Sequence, residues 1–218
     1  MTQMTALQIA QLNKADEAHR RAAIGTRIAA MEFGTAVEPG AGSLLSSPIL
    51  HYNISTAALG TATKVLAATL LVQTVTKTVT TGITNPDFPR LLSVKGNDGN
   101  VTGNVVITGT DINDAVLTET IAANSTNEVA GTKAFKTVNT IVLPPYNTAG
   151  TETVSVGFMN KLGMPIALSN TALVIAKNFN GSVDAGTLTP GATAALTVYA
   201  PAGTLDGAKD IDLWFVAA

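Results

Sequence analysis

Two periodicities divide the chain. Over residues 5–33, Leu12, Ala15, Ala22, Ala23, Ile24, Ile28 and Met31 keep roughly to one side of a helical wheel, while Lys14, Asp16, Glu17, Arg20 and Arg21 crowd the other. No proline interrupts this stretch, and its Ala, Leu, Gln, Glu and Arg residues favour helix. Thr5 suits an N-cap, Gly34 suits a stop, and Gly25 weakens the middle. The pattern predicts an amphipathic helical segment over 1–34. Leu12, Ile24, Ile28 and Met31 are its candidate interface positions.

Residues 38–48 read Glu-Pro-Gly-Ala-Gly-Ser-Leu-Leu-Ser-Ser-Pro, a composition of linkers and turns. Residues 51–64 follow without strong periodicity, so an extended arm is expected over 35–64. An arm of this length must lie on its own domain or on a neighbour. His51 and Tyr52 are its candidate contacts.

From residue 65 onward the pattern shortens to the period of strands. β-Branched runs alternate with turn residues. Residues 65–81 supply one long strand or two short ones, and 91–95 another before the turn Asn97-Asp98-Gly99-Asn100. Residues 104–108 and 116–121 form a predicted hairpin. Further strands are expected at 135–143, 153–158, 172–177, 195–199 and 210–216, about nine in all. Asn180-Gly181 is the strongest two-residue turn signal. In the last strand Ile211, Leu213 and Phe215 share one face, while Asp210, Asp212 and Trp214 share the other. Strands without intervening helices predict a mainly β class, with a β-sandwich or jelly-roll-like domain over 65–218. Trp214, a large apolar side chain on the second face that wants cover, is a candidate interface residue or a core residue of the closing strand.

Composition narrows the function classes. The chain has 218 residues, 46% hydrophobic but only 13% charged, with a net charge of −2. A general nucleic-acid binder needs a basic stripe, which this balance does not supply, so no nucleic-acid partner is expected. Threonine occupies 32 positions, in keeping with strands. The first basic residue is Lys14, so the opening residues lack the charged start of a secretory signal. The most apolar run, 65–72, is far shorter than the ~20 residues of a membrane helix, and no membrane partner is expected.

Candidate chemistry is sparse. With no cysteine there is no thiolate nucleophile and no cysteine metal site. The two histidines are His19, on the charged side of the predicted helix, and His51 in the expected arm, so neither falls in the predicted β domain. A catalytic triad there has no base, and the chain is read as a non-enzyme without cofactor or resident metal. Asp98, Asn100, Asp111 and Asp114 fall in two turns and offer oxygen ligands for calcium. Their spacing matches no calcium loop, and Asp, Asn and Gly populate turns for backbone reasons alone. Gly157 and Gly163 do not make a phosphate loop, because no helix follows. A carbohydrate platform wants several exposed aromatics, and aromatics are 5% of the chain.

Several segments carry a resemblance. They are Thr80-Thr81-Gly82-Ile83-Thr84-Asn85-Pro86-Asp87-Phe88-Pro89-Arg90, Gly103-Asn104-Val105-Val106-Ile107-Thr108-Gly109-Thr110-Asp111 and Leu117-Thr118-Glu119-Thr120-Ile121. Gly131-Thr132-Lys133-Ala134-Phe135-Lys136-Thr137-Val138, Val142-Leu143-Pro144, Val156-Gly157 and Lys161-Leu162-Gly163-Met164-Pro165 follow. In this order they resemble a group of tailed-bacteriophage virion structural proteins, over roughly residues 79–183. The resemblance implies a β-rich decoration (cement) or head-fibre protein located in the virion. It implies the major capsid protein as partner and self-association, most often as a homotrimer. A tail or head-fibre component, a carbohydrate-binding adhesin module and a hydrolase are the rival readings. A fibre should show repeats or a stalk, an adhesin more aromatics, and a hydrolase a nucleophile with its base.

Overall fold

The computed structural model describes residues 48–146 and 150–216. The predicted helix over 1–34, with Leu12, Ile24, Ile28 and Met31, lies outside the described residues. So does the arm up to residue 47.

The described chain is mainly β, as its alternation predicts, in three antiparallel sheets. The first joins β1 (Ile49–Ile54), β14 (Ile211–Val216), β10 (Val174–Phe179) and β11 (Ser182–Val183), in that spatial order. The second runs β12 (Thr187–Thr189), β13 (Val198–Ala200), β9 (Thr153–Gly163), β4 (Arg90–Gly96), β7 (Val129–Phe135), with β2 (Thr61–Leu70) also paired to β9. The third is β3 (Lys77–Val79), β8 (Thr137–Leu143), β5 (Thr102–Thr110), β6 (Val116–Asn124). Short 3₁₀ turns at Thr171–Leu173 and Ala194–Leu196 are the only helical pieces among the described residues.

Two cores explain the layering. Leu92, Val94, Val154, Val156 and Phe158 of the second sheet meet Val105, Ile107, Ile121, Ile141 and Leu143 of the third. Leu162, Leu188 and Tyr199, at the other end of the second sheet, meet Ile54, Ile211, Leu213 and Phe215 of the first. The second sheet is thus shared by two sandwiches. β4 is covered on both faces: Leu92 and Val94 enter the main core, while Leu91 packs with Ala134 and Val198 on the reverse. Strands buried on both faces lose polar alternation, which is why Arg90-Leu91-Leu92-Ser93-Val94 reads as a continuous apolar run around two partnered polar residues.

Where the strand pattern alternated cleanly, expectation and structure agree. The β5–β6 hairpin is regular over nine paired positions, and Ile211, Leu213 and Phe215 of β14 are all buried. Asn180 and Gly181 turn β10 into β11 with φ of 49° and 76°, the left-handed pair that a tight hairpin demands.

Three expectations need correction. Residues 49–64 are not all arm: 49–54 form β1, paired along its length with β14, and β2 begins at Thr61. β1 pairs antiparallel with a strand some 160 residues away, and nothing local announces such a partner. Residues 135–143 are not one strand, because the chain passes from the second sheet to the third between Phe135 and Thr137. The strand count is fourteen among the described residues rather than nine, because two- and three-residue strands such as β11 and β12 leave too short a pattern.

One glycine shows how tightly the second sheet is built. A Cβ on Gly157 of β9 would collide with the Thr61 carbonyl oxygen and the backbone of Ala62 in β2. The two backbones approach so closely that only hydrogen fits.

Candidate functional site

The polar segments singled out in the sequence are brought together by the fold, and their side chains bond within it. Asp87 is the hub of the first. Its Oδ1 pairs with Arg90 Nε at 2.7 Å and its Oδ2 accepts from Arg90 Nη2 at 2.8 Å. Asp87 also accepts from the Ala58 and Phe88 amides at 2.8 and 3.0 Å. Arg90 has no exposed surface; it donates to the Ala58 carbonyl at 2.8 Å and lies 4.6 Å from the centre of the Phe158 ring. Burial holds the Arg90 guanidinium below its ordinary value, and Asp87 opposes that shift. A planar fork with one bidentate carboxylate, backbone carbonyls and an aromatic face is a satisfied structural arginine.

The other segments behave alike. Asn85 Oδ1 accepts from the Val138 amide at 2.8 Å, joining the Asn-Pro-Asp segment to the end of Lys-Ala-Phe-Lys-Thr-Val. Glu119 Oε1 accepts from the Thr132 amide and hydroxyl at 2.5 and 2.9 Å and from the Lys133 amide at 3.3 Å. Glu119 Oε2 lies against Gly131, where any side chain would strike it. The Gly163 amide donates to the Pro89 carbonyl at 2.7 Å. These residues hold sheets and loops together.

The turn carboxylates are engaged within their own neighbourhoods. Asp98 Oδ1 accepts from the Asn100 amide and side chain, both at 2.8 Å. Asp111 Oδ1 accepts from the Asn113 and Ala115 amides at 2.8 and 3.0 Å, and Asp114 pairs with Lys136 at 2.8 Å. Among the described residues no three metal-ligating side chains gather. The carboxylates here shape turns.

Near the second core, the Tyr199 hydroxyl donates to Asp184 Oδ2, and both residues are buried. Asp184 also accepts from the Ala202 amide. Burial, with Asp184 added, pushes the Tyr199 hydroxyl far above the ordinary phenol value. This pair fastens β13 to the loop after β11.

A solvent-facing cluster of ring and polar side chains lies on the outer face of the first sheet. Antiparallel register sets His51 opposite Trp214, and Asn53 opposite Asp212. The His51 and Trp214 rings stack with centroids 4.6 Å apart and planes 12° apart. His51 Nε2 lies 2.7 Å from Asp212 Oδ1, which also accepts from Asn53 Nδ2 at 2.8 Å. The Asn53 bond, with His51 adding to it, holds the Asp212 carboxyl below its ordinary range. Tyr52, the neighbour of His51, points to the opposite side: it packs against the second core, where burial raises its hydroxyl.

The sequence placed Trp214 on the second face and singled out His51, but it did not place the two together. Asn53, Arg90, Glu119 and Asp184 were missed as anchors, since a lone polar residue in a strand carries no sign of its partner. The only local hint was the i, i+3 spacing of Asp87 and Arg90. No family model, no curated protein and no solved structure matches this chain.

Proposed function

We propose that this protein is a bacteriophage capsid decoration (cement) protein. It binds the outside of the head shell and stabilises it through contacts that bridge major capsid subunits, with three copies clustered at a local threefold. The observation that carries this reading is the outer face of the third sheet. Register aligns Thr118 with Thr108 and Thr140, and Thr120 with Val106 and Val142. Thr78 of β3 adjoins Val142. These positions are exposed or half-buried, and none is charged. A broad sheet face of hydroxyls and small apolar groups docks on a protein surface with little desolvation of charge. The bonding of Asp87, Arg90, Asn85 and Glu119 within the fold supports a scaffold rather than a catalyst.

In this reading the amphipathic pattern over residues 1–34 supplies the contact with a neighbouring subunit. The test mixes purified full-length protein with expanded shells and with unexpanded procapsids, imaged by cryo-EM. Ordered extra density on expanded shells, and a higher melting temperature of those shells, is expected. Binding to neither particle overturns the reading.

A further inference from the structure

We propose that the outer face of the first sheet is a saccharide-binding site, built on Trp214 with Asp212 and Asn178. Three adjacent strands form it. One cross-strand row is His51, Trp214 and Ala176; the next is Asn53, Asp212 and Asn178. The rows are two residues apart along each strand, a separation of about 6.8 Å, and neighbouring strands lie about 4.8 Å apart. A row of rings and small apolar groups thus runs beside a row of amides and a carboxylate, at a spacing that one pyranose ring spans.

Each residue has a distinct part. His51 covers one face of the indole, and its bond to Asp212 fixes the stack. On the other flank the register sets Ala176, with a single methyl, opposite Trp214. Ile175, the extra residue of the bulge in β10, is half exposed in the same stretch. The axial C–H groups of a sugar stack on an indole through its π face, and the neighbouring row receives the hydroxyls. Asp212 Oδ1 is occupied by His51 and Asn53, whereas Oδ2 has no partner among the described residues. The depressed titration of Asp212 keeps it an ionised acceptor. Asn178 adds an amide that donates and accepts.

The charge pattern selects the class of ligand. Asp212 is the one carboxylate in the two rows, which suits hydroxyl donors and opposes phosphate or an acidic peptide. Mixed stacking and directed polar groups are the general make-up of small-ligand sites. This site is separate from the third-sheet face assigned to the shell, so sugar binding by the isolated protein neither requires nor tests particle binding.

Trp214 is the only tryptophan in the chain and reports on the site directly. The full-length protein is titrated, by tryptophan fluorescence, with glucose, galactose, mannose, N-acetylglucosamine, cellobiose and chitobiose. With each sugar taken to about 100 mM, at least one should give a saturable shift. Asn178→Ala and Asp212→Asn should each weaken that binding about tenfold. Ala176→Leu, which fills the space beside the indole, should abolish it while the circular dichroism stays β. No saturable shift with any of the six sugars overturns the proposal. So does binding that survives unchanged in both Ala176→Leu and Asn178→Ala.

Discussion

Arg90 and Asp87 form a bidentate ion pair, three residues apart, in which the arginine has no exposed surface. The pair sits where β4 begins, and its second set of bonds reaches Ala58 and Met159. One side chain thus ties the segment before β2 and the middle of β9 to the start of β4.

Breaking this pair from the acid side should cost more than removing the arginine. Asp87→Ala leaves a buried guanidinium with no counter-charge, and should destabilise by about 3–5 kcal/mol. Arg90→Met removes the charge and keeps much of the volume, so its cost should be smaller. Urea denaturation of both variants checks the order. A larger loss for Arg90→Met would show that the carbonyl and Phe158 contacts, not the charge, dominate.

Gly157→Ala should destabilise by about 1–3 kcal/mol, as expected when β2 and β9 are forced apart. Gly99→Ala is the control: it has open space around its Cβ position, and surface changes of this kind stay within about 0.5 kcal/mol. Thermal melting of the two variants measures the difference.

Tyr199 makes stability fall at high pH. Its folded-state value is raised, so the native state holds the proton longer than the unfolded chain does. The resulting stability is fully present below the unfolded value of 10.0 and is lost as pH rises above it toward the folded value. Tyr199→Phe should make this alkaline slope shallower, leaving the smaller part that the buried Tyr52 adds. Denaturation midpoints from pH 8 to about 11 read it out.

Asp212 acts with the opposite sign. Its folded-state value is depressed, so its contribution is present above the ordinary 3.8 and is lost as pH falls below it. Asp212→Asn should flatten the acid limb of the stability profile. A profile unchanged between pH 3 and about 5 would show that the His51 and Asn53 bonds do not hold the carboxylate in solution.

Residues 48–218 should fold without the first 47. The described strands pair among themselves in three sheets. A fragment starting at Pro48 should keep a β circular dichroism spectrum and melt cooperatively. Precipitation or loss of that signal would place the first segment within the core.

Local pattern alone determined the class of this protein. Period-two alternation in β5, β6 and β14, and the Asn180-Gly181 turn, are properties of a few neighbouring residues, so they are legible without knowing the fold. The sparse charge, the absent cysteine and the lone tryptophan are equally plain in the sequence. Tertiary structure decided everything that depends on a distant partner. β1 looks like arm until β14 pairs with it, and Asp212 is one of two carboxylates on a strand face until His51 and Asn53 bond to it. Glu119 shows no purpose until the Thr132 and Lys133 amides reach it. The physical reason is that a strand satisfies its backbone only between strands, so its neighbours, and therefore its sites, are set by the register of the whole sheet rather than by the residues beside it in the chain.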